Sequence, residues 1–267
     1  MSKSIPVGVI GAGVMGEALI AALISYGVTP ELITISEKRN DRAEELVNRY
    51  RIKVAPLEAN VASADVLLLV VKPQDMATVL ADIKASINPK AVVITFAAGK
   101  KIAFIAEALG TGNPIVRVMP NTATMVGAGM AAISLGNGVS AEQSAFVSGF
   151  LSATGKVVEV PEDLQDAVTA TSGSGPAYLF RFVEAMIDGA EQLGLSRDIA
   201  TTLTVQTMVG AAKLLEESGK SATTLRENVT SPNGTTAAAL ASFETDQIAT
   251  VVATAMKAAR DRSQELA

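Results

Sequence analysis

Near the N-terminus, Gly11-Ala12-Gly13-Val14-Met15-Gly16 follows the apolar run Val7-Gly8-Val9-Ile10 and leads into a helical stretch. At these spacings the glycines permit a tight turn, close approach of main chain to a pyrophosphate, and packing of a helix on a strand, while the helix start offers N–H donors to phosphate. Glu37 closes the next apolar run, where an acid can accept from a ribose 2′-hydroxyl. Lys38 and Arg39 beside it are cations able to receive a 2′-phosphate, although charges in such runs also serve as plain solvated surface. The signals oppose each other, so NADPH is expected to be accepted and NADH not strongly excluded.

Three further segments end apolar runs: Val71-Lys72-Pro73, Ala97-Ala98-Gly99 and Met119-Pro120-Asn121. Ligands of open α/β sheets bind outside the carboxyl ends of the strands, so Val71, Lys72, Pro73, Ala97, Ala98, Gly99 and Asn121 join the cofactor candidates. Turn chemistry alone accounts for most Pro and Gly at such places. Farther along, Thr171-Ser172-Gly173-Ser174-Gly175-Pro176-Ala177-Tyr178 and Val229-Thr230-Ser231-Pro232-Asn233-Gly234-Thr235-Thr236 each bring hydroxyls to the start of a helix. Taken singly these are caps; two of them in a chain with a dinucleotide motif point to a carboxylate site.

The chain has no His and no Cys. Thiol nucleophiles, Ser-His-Asp triads, His-ligated metals and imidazole proton shuttles are thereby removed together, and no metal is expected. Reduction of a ketone needs an acid for the developing alkoxide, whereas an imine nitrogen can already be protonated near neutral pH. A hydroxyl such as that of Thr236 suffices to orient that nitrogen, which tilts the chemistry towards C=N reduction, with Lys72 and Tyr178 remaining as alternative acids.

The elements that position these residues follow from the hydrophobic pattern. Short β-branched runs (Val7 to Ile10, Leu32 to Ser36, Val66 to Val71, Ala91 to Thr95, Ile115 to Met119) alternate with helical stretches such as Met15 to Ser25 and Asp41 to Tyr50, the latter expected to be capped by Asn40. Continuously apolar strands separated by helices predict a doubly wound α/β domain with a parallel sheet over residues 1–161. From Glu162 onward the spacing is helical, giving an all-helical domain over 162–267. Within it, Ile199 to Ala212 carries no charge, so something must cover that helix on all sides: the domain itself or, the sharper reading, a second copy of the chain.

The 267 residues suit two domains, and 22 Lys and Arg against 27 Asp and Glu leave a net charge of −5 with no basic block. Nucleic acid is an unfavoured partner. No apolar stretch approaches the ~18 residues of a spanning helix, no secretory leader is legible, and a cytoplasmic location is expected.

These motifs, above all Asn228-Val229-Thr230-Ser231-Pro232-Asn233-Gly234-Thr235-Thr236, resemble the pyrroline-5-carboxylate reductase family of proline biosynthesis over nearly the whole chain. Asn233 stands where most members carry Gly, and Asn tolerates positive φ better than other non-Gly residues. The resemblance implies an oxidoreductase that transfers hydride from NAD(P)H to 1-pyrroline-5-carboxylate, giving L-proline. It further implies that Thr236 bonds the ring nitrogen and that Ser231, Gly234 and Thr235 hold the carboxylate. By the same carry-over, Asn228 approaches the nicotinamide ribose and Ser174 lies in the substrate pocket. Members are homodimers through their C-terminal helices, often assembled further as a pentamer of dimers. A β-hydroxyacid dehydrogenase is the enzyme alternative, disfavoured because the segment Tyr178 to Met186 has no Lys; a non-catalytic dinucleotide sensor is the other.

Overall fold

A computed structural model describes residues 4–266. Among them, β1 (Val7–Ile10), β2 (Ile33–Ser36), β3 (Lys53–Val54), β4 (Val66–Leu69), β5 (Val92–Thr95), β6 (Ile115–Met119), β7 (Gly129–Leu135) and β8 (Gly155–Glu159) form one sheet in the order β3-β2-β1-β4-β5-β6-β7-β8. The strand order reverses at β1, which pairs in parallel with β2 on one side and β4 on the other. A ligand crevice is expected at that switch point.

Both faces of the sheet are covered, which is why its central strands are apolar without alternation. Alternate side chains then divide between two cores. Val7, Val9 and Leu68 join α1 (Val14–Ser25), α2 (Asn40–Tyr50) and α6 (Ala141–Ser152) through Leu19, Ile20, Leu23, Leu46, Phe146 and Phe150. Ile10, Leu67 and Leu69 join α3 (Leu57–Ser63), α4 (Met76–Ile83) and α5 (Ile102–Leu109) through Val61, Met76, Leu80, Ile83, Ile105 and Leu109. Each fully buried aliphatic side chain contributes about 1.5–3 kcal/mol of transfer free energy, so these two layers hold the crevice rigid.

The structure corrects several expectations. The sheet is mixed: β7 runs antiparallel to β6, and only a 3-10 turn over Thr122–Val126 with Gly127 at φ 72 connects them. That connection is too short for the crossover a parallel neighbour requires. β7 begins Gly-Met-Ala-Ala, which carries no β-branched signal, and pairing with β6 and β8 makes it a strand. Asn40 is the first residue of α2 and not its cap; Arg39 is the cap, and the Arg39 N–H is taken by Glu37 Oε1 at 3.1 Å. The polar stretch after α7 (Gln165–Val168) is a π-helical turn over Thr169–Gly173, running without a loop into α8 (Gly175–Gln192). A π-turn leaves carbonyls off the regular ladder, a feature frequent at functional sites.

The chain continues through α9 (Arg197–Glu217), α10 (Ala222–Asn228), α11 (Thr235–Thr245) and α12 (Ile248–Glu265). By compactness there are two units, one reaching Ser174 and including the chain from Ala259 on, the other Gly175–Ala258. The sheet ends before the 161/162 position read from the pattern, and the compact unit continues through the π-turn. Within 175–258 only Ile187, Ala200 and Thr204 are buried.

Candidate functional site

The glycine loop after β1 needs each of its three glycines for a different reason. Gly11 has φ +86, and a Cβ there would lie 2.6 Å from the Val70 carbonyl oxygen. A Cβ on Gly16 would lie 2.4 Å from the Gly11 oxygen, so the helix could not pack. A Cβ on Gly13 would meet no protein atom within 4 Å, so the open space is available to a ligand rather than to the fold. Gly13 precedes α1, whose start has no side-chain cap. The uncapped N–H groups form the positive end of the helix, where a pyrophosphate fits. Ala12 is buried and Met15 packs on the core, so neither side chain is offered to a ligand; Val14 is exposed.

Glu37 is fixed against this loop. Its Oε2 accepts from the Ala12 N–H at 2.8 Å and its Oε1 from the Arg39 N–H. The Arg39 guanidinium is turned to Asp41, donating from Nη2 at 2.6 Å and Nε at 3.3 Å, both side chains being exposed. Lys38 lines a cavity of about 420 Å³ with Ile10, Gly11, Ser36, Glu37 and Val71, at the carboxyl ends of β1, β2 and β4. Its size suits one end of a dinucleotide. Pattern reading did not single out its other wall, Ala55, Pro56, Leu57, Asp75, Thr78, Val79 and Asp82, because ordinary residues in or beside short helices carry no distinguishing signal.

Arg42 was also missed. Its Nε donates to the Ala12 carbonyl at 3.1 Å, and its other nitrogens pair with Glu17 and Glu45. It braces the glycine loop from α2, and only its i,i+3 spacing to Glu45 was visible in sequence.

The remaining strand ends differ among themselves. Lys72 leads into a 3-10 turn, Pro73–Asp75. Gly99 is buried with φ +76 and follows Ala97 and Ala98 in the turn after β5. The side-chain oxygen of Asn121 accepts from the Met130 N–H at 3.1 Å and so anchors the start of β7. Ser174 ends the π-turn, its N–H donating to the Thr169 oxygen at 2.8 Å, and Gly173 packs on Met119.

In the helical unit, the second polar segment connects α10, which ends at Asn228, to α11. Asn233 has φ 59, the conformation expected of the residue replacing Gly. Gly234 is the cap of α11; a Cβ there would lie 2.4 Å from Ser231 Oγ, and no side chain caps this helix. The Ser231 hydroxyl and the first N–H groups of α11, at Thr235 and Thr236, are thus brought to one turn, with Thr236 half-buried. That is a carboxylate-sized set of donors.

A parallel-dominated sheet with a glycine loop at its switch point, followed by a helical unit, defines a Rossmann-type dinucleotide-dependent oxidoreductase. Residues 162–266 match the family model for pyrroline-5-carboxylate reductase dimerisation, and residues 6–99 match that of coenzyme F420-dependent NADP oxidoreductases. The chain is 42% identical over 264 residues to the pyrroline-5-carboxylate reductase of Corynebacterium melassecola, covering 97% of this chain and 98% of that one. Among solved structures, it resembles a pyrroline-5-carboxylate reductase from Coxiella burnetii with a TM-score of 0.92 at 33% identity, covering 99% of each. The Plasmodium falciparum enzyme, solved with NADP bound, gives a TM-score of 0.88 at 29% identity, covering 100% of this chain and 99% of that one. The chain belongs to the pyrroline-5-carboxylate reductase family.

Proposed function

We propose that this chain reduces the C=N bond of 1-pyrroline-5-carboxylate to L-proline with NADPH, NADH also being accepted. The observation that carries the reading is the uncapped start of α11 beside Ser231, Gly234, Thr235 and Thr236, in a chain without histidine. The main-chain N–H groups and the Ser231 hydroxyl hold the substrate carboxylate. Thr236 Oγ1 orients the ring nitrogen, which is protonated from solvent and needs no strong protein acid. NADPH, when bound, supplies the hydride. Gly11, Gly13 and Gly16 with the start of α1 receive the pyrophosphate, Glu37 and Lys38 face the adenosine ribose, and Asn228 approaches the nicotinamide ribose. Val71, Lys72, Pro73, Ala97, Ala98, Gly99 and Asn121 belong to the strand-end wall of the cofactor site, and Ser174 to the substrate pocket. Glu37, engaged by the Ala12 N–H, disfavours a 2′-phosphate, while the exposed pair of Arg39 with Asp41 is weak enough to be exchanged for one. Dual cofactor use follows.

We further read the assembly as a homodimer through the C-terminal helices, with a pentamer of such dimers as the higher form, and place the reaction in the cytoplasm. No helix among the described residues is long and apolar enough to cross a membrane. The test follows NADPH and NADH oxidation with 1-pyrroline-5-carboxylate and with 3-keto acids, and NADP+ and NAD+ reduction with 3-hydroxy acids, for the native chain and Thr236→Ala. Turnover of the imine alone is expected, with Thr236→Ala keeping cofactor affinity and losing about 10²-fold in kcat, the scale of one oriented donor. NAD(P)H oxidation with the keto acids, NAD(P)+ reduction with the hydroxy acids, or an unchanged Thr236→Ala, overturns the assignment.

A further inference from the structure

The turn after β5 is fastened from two directions. At its far end, the Ile102 N–H that opens α5 donates to Glu162 Oε1 at 2.7 Å. In its middle, Gly99 is covered by the last turn of α12 and the residue that follows it: a Cβ on Gly99 would lie 2.9 Å from Leu266 Cβ and 3.0 Å from both the Leu266 carbonyl carbon and the Ser263 oxygen. Only glycine fits there, by conformation and by space.

Both fastenings converge on one buried cation. Arg117, on β6 and 3% exposed, places Nη1 3.3 Å from Glu162 Oε1 and Nη2 3.6 Å from Asp166 Oδ1. Asp166 Oδ1 also accepts from Ser263 Oγ at 2.7 Å, and Ser263 is itself buried, 3% exposed. A buried guanidinium is tolerated only when paired, so Arg117 fixes both carboxylates; Glu162 fixes the start of α5, and Asp166 fixes the end of α12. All of these residues lie in the N-terminal unit, to which the chain from Ala259 belongs.

We propose that Ser263 is a positioning residue for the cofactor site: through Asp166 and Arg117 it locks the last turn of α12 over Gly99, and so sets the path of Ala97-Ala98-Gly99. This rests on the reading of that turn as part of the cofactor wall. An ordinary C-terminal helix end contributes only stability; one that holds the main chain of a ligand wall changes affinity for that ligand when it loosens, because the turn must then be ordered on binding.

The test is fluorescence titration of the full-length protein with NADPH, alongside thermal melting and steady-state kinetics, for Ser263→Ala, Ser263→Thr and Ala98→Leu. Ser263→Ala is expected to weaken NADPH binding about ten-fold, the scale of one lost hydrogen bond to a charged group, and to leave KM for the imine in place. Ser263→Thr, which keeps the hydroxyl, restores native affinity. If Ala98→Leu weakens NADPH binding and Ser263→Ala does not, the clasp is refuted while the cofactor wall stands. If Ala98→Leu leaves NADPH affinity unchanged, the turn is not on the cofactor and the proposal falls with that reading. A Ser263→Ala protein with a lower Tm and native NADPH affinity shows a purely structural role and also overturns it.

Discussion

Glu17 shows how much of the cofactor loop is held by charge. Burial works to raise its pKa, but hydrogen bonds from Arg42, Tyr50 and Arg49 outweigh burial and hold the carboxyl below its ordinary value of 4.5. Arg42 in turn braces the Ala12 carbonyl, so the ionised Glu17 indirectly supports the glycine loop. A carboxyl with a depressed folded pKa stabilises the fold above its unfolded value, and that contribution disappears as pH falls through the folded one. Denaturant unfolding of the native chain and Glu17→Gln as a function of pH is therefore expected to show a constant gap at neutral pH. The gap closes in acid, below about 4.5, and one that is the same in acid as at neutral pH contradicts this account. Arg42 and Arg117 escaped the sequence reading for the same reason: an arginine on a helix or strand looks alike whether it meets solvent or a half-buried carboxylate from a segment far along the chain.

At the level of elements, the strand, turn and helix around Gly11, Gly13 and Gly16 were legible because each glycine acts within a few residues or on the adjacent strand. Their distinct roles give a contrast. Gly11→Ala forces an alanine to φ +86 against the Val70 oxygen and is expected to destabilise by at least about 1–2 kcal/mol, read as a lower Tm. Gly13→Val, at φ −66 with no neighbour within 4 Å, is expected to keep its Tm and weaken NADPH binding by about ten-fold or more, about 1.4 kcal/mol. Melting and NADPH titration of both variants check this, and a destabilised Gly13→Val would mean that the space is needed by the fold. β7 shows where element reading stops: its Gly-Met-Ala-Ala start has no strand character of its own, and its state is decided by the edge of β6 that it meets. The short helix starts behaved more simply, with Asn233 adopting the positive φ its side chain allows.

At the scale of the molecule, the helical unit has almost no interior. On α9, the helix without charges from Ile199 to Ala212, Ile199 and Leu203 are 53% and 54% exposed and Val209 54%, and Phe180 on α8 is 65% exposed. Of the two coverings left open by the sequence, the chain's own domain does not supply one. A match to a dimerisation family over 162–266 supports association through this region. Obligate homodimer interfaces bury upwards of about 2,000 Å² and are more hydrophobic than ordinary surface. Light scattering on the native chain is expected to give a dimer or a multiple of it at all working concentrations. Leu203→Asp, which places a charge on the exposed apolar face, is expected to give monomer or aggregate with loss of turnover. A native monomer with full activity would remove the dimer reading.

The alternation of helices with strands β1, β2, β4, β5 and β6, the dinucleotide loop and the helical character of the second half followed from residue types and short spacings, because turns, caps and buried faces impose local rules on the chain, while the family was legible as a resemblance of whole motifs. Which strand turns antiparallel, which arginine is buried, and where the last turn of α12 docks were decided only in three dimensions. Those outcomes depend on which surfaces meet, and a one-dimensional pattern states that a surface must be covered without stating by what.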